Sequence, residues 1–286
     1  MSANTKTDQK LFAFQNHNLE ATFYKPTDKE MKTALLYFHG GGFVFGSRTD
    51  LPAPYIEHIT SHGIGIVAVD YPLAPETKFP TLLEITNKVT EWFVEQFLPT
   101  HNLKNYFIFG RSAGGFLALA NGIYAKQLAT PPAGIISLYG YYQLHDASFS
   151  VPNRHYLKYP KVNDKIVAKQ IQKTPIFEST DQNRYLLYLA ARQKGDWLTT
   201  FLEDPKQKSE FSLAKEAFKT LPPLFLAAST KDPDVPARQS RQMANLHSEA
   251  TLHLVDVAEH DFDRTHIESL GIELYEKITT WVMDLI

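Results

Sequence analysis

The sequence predicts an α/β fold: a mostly parallel central sheet flanked by helices. Three observations carry this. Six short runs, residues 34–38, 64–69, 106–109, 134–138, 224–228 and 252–257, are almost continuously apolar rather than alternating, as strands buried on both faces are. Helical periodicity falls between them. Each run also stops at a turn signal or a polar residue, such as the glycine run after His39, Asp70, Gly110, Gly140 or Ser229. Strands alternating with helices make a parallel sheet.

Taken in order, residues 11–14 and 20–24 read as a polar-edged hairpin ahead of the parallel strands. Leu82, Ile85, Val89, Phe93 and Phe97 place a helix over 82–97. Further helices are expected over 116–128, 238–247 and 266–283. From 143 to 215 no convincing central strand is found, but helix-like pieces occur at 165–173 and 184–194. A structureless loop of that length is implausible, so this stretch is expected to be a helical cap inserted into a core made of 1–142 and 216–286.

The bulk properties bound the function. With 286 residues, 43% hydrophobic and 21% charged, the chain has ordinary globular composition and suits one large domain or one domain carrying an insertion. A net charge of −2 gives no basic footprint for nucleic acid. The absence of cysteine excludes disulfides, thiolate metal sites and a cysteine nucleophile. Residues 1–10 are polar, without a signal-peptide apolar region, and no apolar run approaches the ~18 residues of a membrane helix. The expectation is a soluble, cytoplasmic protein with no cofactor and no metal. Its oligomeric state is not encoded legibly.

The chemistry-bearing motif is Gly110-Arg111-Ser112-Ala113-Gly114, after a strand and before a helix of small residues. A serine at such a turn sits on strained backbone with its hydroxyl above the sheet, and the residues two positions to either side must lack side chains for the turn to close. The helix that follows points free N–H groups at the reacting centre. A second motif, His39-Gly40-Gly41-Gly42, follows the 34–38 strand. Clustered backbone N–H groups there suit the negative oxygen of a tetrahedral intermediate. A dinucleotide fingerprint from Gly40 needs glycine at 45, where Phe45 stands, and no P-loop lysine follows. His39 is expected to hold the loop rather than to act as a base.

For a Ser–acid–His order, the turn after 224–228 offers Asp232 and Asp234. Asp232 is closer to the strand end, and Pro233 restricts its backbone. Asp234 suits the start of the next helix, near Pro236. Among the late histidines His260 has the strand-end loop context; His253 lies within a strand, His247 ends a helix and His266 falls on the terminal helix.

Together these residues resemble the hormone-sensitive-lipase-like branch of the α/β hydrolases, which includes many bacterial carboxylesterases. The resemblance rests on His39-Gly40-Gly41-Gly42-Phe43, Asp70-Tyr71-Pro72-Leu73-Ala74-Pro75-Glu76, Gly110-Arg111-Ser112-Ala113-Gly114-Gly115, Asp232-Pro233 and His260-Asp261-Phe262, in the family's order across 39–262. It implies an α/β-hydrolase fold, oxyanion donors from the backbones of Gly41, Gly42 and Ala113, and a helical cap over the site. Two positions depart from the pattern. Arg111 stands where the family usually has Asp, and Pro72 where it usually has Arg. These departures suggest that Arg111 turns to Glu76; otherwise it faces the pocket and attracts acidic substrates. The expected function is hydrolysis of small or medium acyl esters, a small-molecule substrate class, by Ser112, His260 and Asp232. Amide or formamide hydrolysis on the same groups is the alternative, and a non-catalytic binding protein is a third reading.

Overall fold

The computed structural model describes residues 4–14 and 17–286. Residues 1–3, part of the polar N-terminal stretch, and 15–16 lie outside the described residues. β1 (Asn4–Phe14) and β2 (His17–Pro26) form an antiparallel hairpin, and β2 pairs antiparallel with β4 (Ile64–Val69). The parallel strands are β3 (Thr33–Phe38), β4, β5 (Tyr106–Arg111), β6 (Gly134–Leu138), β7 (Leu224–Ser229) and β8 (Ala250–Val255). The sheet order is β1-β2-β4-β3-β5-β6-β7-β8. From β3 the chain first goes to one side, to β4, and then returns to the other, to β5. A crevice opens outside the carboxyl ends of strands at such a reversal, and both glycine motifs emerge there.

Helices α1 (Ala53–Ser61), α2 (Phe79–Trp92) and α3 (Leu98–Thr100) connect β3 to β5 around β4, and α4 (Ala113–Ala125) follows β5 directly. Between β6 and β7 lie α5 (Asp164–Gln170), α6 (Tyr185–Lys194), α7 (Trp197–Phe201) and α8 (Lys215–Phe218). Among the described residues of this segment none joins the eight-stranded sheet. α9 (Arg238–Leu246) links β7 to β8, and α10 (Phe262–Thr265) and α11 (Ile272–Asp284) close the chain.

The strand pleat divides the core. Leu36, Phe38 and Ile108 point into a cluster with Phe116 of α4 and Phe79 of α2. Leu35, Tyr37 and Phe109 point into a second cluster with Tyr55 of α1 and Tyr275 of α11. β3 to β7 are buried along their whole length, which is why these runs lack alternation. Each large aliphatic side chain so buried contributes about 1.5–3 kcal/mol.

Boundaries differ from the sequence reading where tertiary contacts intervene. β8 ends at Val255, opposite Ser229, because the next residue, Asp256, turns out to accept from Thr230 and Lys231. The last helix begins at Ile272, not His266; a five-residue wide turn, Ile267–Gly271, precedes it. Gly271 there packs onto the Tyr55 hydroxyl, leaving no room for a Cβ. No helix among the described residues is long and apolar enough to cross a membrane.

Candidate active site

Ser112 joins β5 to α4 with φ 52° and ψ −117°, a left-handed conformation for a residue with a Cβ. Such strain costs about 1–3 kcal/mol and persists when surrounding structure enforces it. Here close backbone approaches do so. A Cβ on Gly110 would lie 1.8 Å from the Gly114 carbonyl oxygen, and one on Gly114 2.0 Å from that of Phe38. The Ser112 N–H donates to the Leu138 carbonyl at 2.9 Å.

His260 lies on the loop after β8. Its Nε2 is 2.8 Å from Ser112 Oγ and its Nδ1 2.7 Å from Asp232 Oδ2. The other carboxylate oxygen, Oδ1, accepts from the N–H groups of Asp234 and Val235 at 2.8 and 2.9 Å, which fixes the carboxylate plane. Burial lowers the basicity of His260, but Asp232, then Asp234 and Asp261, outweigh it and raise its pKa to about 9. The three residues singled out in the sequence therefore meet in one hydrogen-bonded line. The other histidines do not join it. His253 is within β8, His247 bonds the Leu221 carbonyl, and His266 lies between α10 and the wide turn. His39 stacks on Tyr71 and its Nδ1 lies 2.8 Å from the Gly40 carbonyl.

The loop after β3 packs against the elbow: the Cβ position of Gly40 lies 3.5 Å from Ser112 Cβ. Gly41, Gly42 and Phe43 take positive φ of 104°, 58° and 66° in succession. Among the described residues none accepts a hydrogen bond from the N–H of Gly41, Gly42 or Ala113. Gly41 and Gly42 line the same cavity as Ser112, and Ala113 opens α4.

Arg111 does not reach Glu76, and it does not serve as a free cation in the pocket. Its side chain is buried: Nε donates to the Tyr139 hydroxyl at 2.7 Å and Nη2 lies 3.0 Å from Asp263 Oδ2. Burial disfavours its charge, yet Asp263 and the tyrosines around it hold it ionised more firmly than usual. Asp263 is fully buried and also accepts from Tyr139 and Tyr275. The reason is directional. Arg111 ends β5 on the face opposite the Glu76 loop, beneath α10 and α11. Glu76 takes its cation from Arg184 at the start of α6, which donates through both Nη1 and Nη2. The Asp70 carboxylate is paired with Arg48; burial, only partly offset by that arginine, raises its pKa to about 7.

Asp234 is not at a helix start. It is buried beneath α6, 3.0 Å from Arg192 Nη2, and accepts from the Tyr188 hydroxyl at 2.6 Å. Burial works against its charge, but Arg192, His260 and the tyrosine hydroxyls bring its pKa below the usual carboxylate range. Sequence reading missed Arg184, Arg192, Tyr188, Trp197 and Asp263. The available signal was two arginines bracketing the apolar run of α6, which is unusual for a solvated helix.

A cavity of about 840 Å³ opens onto Ser112 and His260. Tyr139, Tyr156, Tyr185, Tyr188 and Phe45 wall it, and Asp181, Glu259, Asp261 and Arg264 stand among its polar lining. No group of His, Asp and Glu that could hold a metal ion occurs among the described residues.

Comparison with known proteins adds to this geometry. A family description of the alpha/beta hydrolase fold matches residues 35–264. The chain is 32% identical over 154 residues to an ethyl acetate hydrolase of Pseudomonas putida, a match covering 51% of this chain and 47% of that protein. It is 33% identical over 113 residues to esterase LipI of Mycobacterium tuberculosis, covering 38% and 35%. The matched stretches thus span less than half of either relative. Among solved structures, an alpha/beta hydrolase superfamily protein from Enterococcus faecalis superposes with a TM-score of 0.86 at 29% identity, covering 98% of this chain and 99% of that one.

Proposed function

Since the chain belongs to the α/β-hydrolase family, in its hormone-sensitive-lipase-like branch, we propose that it is a carboxylic ester hydrolase working through an acyl-enzyme on Ser112. The observation that carries this reading is the continuous line Asp232–His260–Ser112 at 2.7 and 2.8 Å, opening into the 840 Å³ cavity. The relatives named as an ethyl acetate hydrolase and an esterase support it.

In this mechanism Ser112 Oγ–H donates to Nε2 of His260, while Nδ1–H donates to Asp232 Oδ2. As Oγ attacks the ester carbonyl, His260 takes its proton and Asp232 stabilises the imidazolium. The carbonyl oxygen becomes negative and takes the N–H groups of Gly41, Gly42 and Ala113, which have no competing acceptor among the described residues. Loss of one such donor in an acyl-transfer site costs roughly 3–4 kcal/mol of transition-state stabilisation. The dipole of α4 adds to this. His260 then protonates the departing alkoxide, and water, deprotonated by the same nitrogen, releases the acid. Residues 143–215 act as a cap whose tyrosines wall the substrate cavity. Soluble, cytoplasmic action on small-molecule esters fits this reading.

The test is hydrolysis of chromogenic esters of increasing acyl length, alongside an anilide, by the wild type and S112A. Ester turnover that disappears in S112A supports the proposal. Anilide turnover exceeding that of every ester, or activity retained in S112A, overturns it.

A further inference from the structure

We propose that the cap positions the oxyanion loop, through Trp197 and Arg184, so that the loop is catalytically shaped only while these two side chains grip it. This rests on the ester-hydrolase reading above. The loop needs an outside hold, because Gly41, Gly42 and Phe43 are all left-handed and Phe43 has a Cβ. Such a run is not favoured by local sequence.

The grip falls on consecutive carbonyls. Trp197 Nε1 donates to the Gly42 carbonyl at 3.1 Å. The Phe43 carbonyl accepts from the Ala74 N–H at 2.8 Å, and the Ala74 carbonyl in turn accepts from Arg184 Nη2 at 2.8 Å. Arg184 Nε donates to the Val44 carbonyl at 2.7 Å. Farther along, Gly46 and Ser179 exchange backbone hydrogen bonds. The peptide plane before Gly42 is set by its own carbonyl, that of Gly41, which accepts from Val44 and Phe45. The plane after Gly42 is set by Trp197. The Gly42 N–H lies in the first of these planes, and Trp197, by holding the second, keeps the turn around Gly42 seated against the cap.

Packing supports the same conclusion. The Tyr188 ring covers Gly42 so closely that a Cβ there would lie 2.4 Å from it. The Trp197 ring stacks on that of Phe43, with 8° between planes. Arg184 is 3% exposed and makes its remaining bonds to Glu76 and the Gln170 carbonyl. It supplies from the cap the cation that Pro72 cannot supply from the loop. One buried side chain therefore ties cap, Glu76 turn and oxyanion loop together.

The experiment compares W197F, R184K and the control K194A, which removes an exposed ion pair between the far end of α6 and Asp164 of α5. W197F keeps an aromatic ring against Phe43 and removes the N–H; R184K keeps the charge toward Glu76 and loses the fork. Each is measured for kcat and KM on a chromogenic acetate ester, for its pH profile, and for affinity toward a trifluoromethyl ketone that mimics the tetrahedral adduct. Small misplacements at a reacting centre cost up to about 100-fold, and a single lost anchor is expected to lower kcat about tenfold, with KM within about twofold. The ketone should weaken by the same factor as kcat/KM, and the pH limb of His260 should not move. K194A should match the wild type. Wild-type kcat in both W197F and R184K, or a loss confined to KM with unchanged ketone affinity, overturns the proposal. S112A separates the two levels: if it stays active, the ester-hydrolase reading itself falls, whereas an inactive S112A beside a fully active W197F and R184K removes the grip alone.

Discussion

Arg111 and Asp263 tie the strand that presents Ser112 to the turn that follows His260, and breaking this pair should be costly. Asp263 lies wholly in the low-dielectric interior: 0% of it reaches solvent, and its side-chain bonds come from Arg111, Tyr139 and Tyr275. R111M keeps an unbranched apolar side chain but strands a buried carboxylate with two tyrosine hydroxyls. D263N strands a buried guanidinium whose next acid, Asp50, is 3.7 Å away. Removing one partner of a buried ion pair costs about 3–5 kcal/mol. For a domain of this size each kcal/mol moves the thermal midpoint by about 2–4 °C, so each single variant should lose about 10 °C. The double variant R111M/D263N strands no charge, and replacing a whole buried pair is often close to neutral. Its loss in urea denaturation, followed by tryptophan fluorescence, should therefore be no greater than that of either single variant. Losses that add to within about 0.5 kcal/mol, or single losses below about 1 kcal/mol, would show that Arg111 and Asp263 are not coupled as a buried pair.

Further predictions follow from the same geometry. Catalysis needs neutral His260, whose pKa is raised to about 9, so kcat/KM should rise with pH through that region; D232N should move the limb down and lower kcat on the order of 10⁴-fold. A limb left near the ordinary histidine value of about 6.5 would contradict this. The same shift makes His260 stabilising below its unfolded value of about 6.5, a contribution lost as pH rises through about 9; the urea-stability difference between wild type and H260A should shrink over that window. D234N should cost about 3–5 kcal/mol by stranding Arg192 while retaining far more activity than D232N; equal activity losses would mean that the two acids share one role. G114A should fail to give active protein, because its Cβ would meet the Phe38 carbonyl at 2.0 Å; a fully active, soluble G114A would contradict the elbow packing.

The parts of this molecule that were legible in the sequence are those governed by local rules. β3 to β7 lie buried on both faces, so their residues are apolar without alternation. The glycines at 110 and 114 are dictated by backbone contacts within a few residues or across one strand. Ser112, Asp232 and His260 follow strand ends in a fixed chain order, so adjacency could be inferred. The polar network was not legible, because its partners are far apart in sequence. Arg111 and Asp263 are separated by 152 residues, and Arg184 and Glu76 by 108. Arg111 was expected at Glu76 because charge balance alone was considered; the pleat sends its side chain to the other face. Asp234 looked like a helix-start acid because Arg192 and Tyr188, its real partners, come from a segment with no readable relation to that turn.

In the proposed mechanism Ser112 carries the acyl group, activated by His260. The direct measurement is intact-protein mass spectrometry after brief exposure to a fluorophosphonate, with peptide mapping of the adduct. The wild type should gain one phosphonyl group on Ser112, H260A should label far more slowly, and S112A should not label. A phosphonyl group on another residue, or labelling of S112A at the wild-type rate, would contradict it.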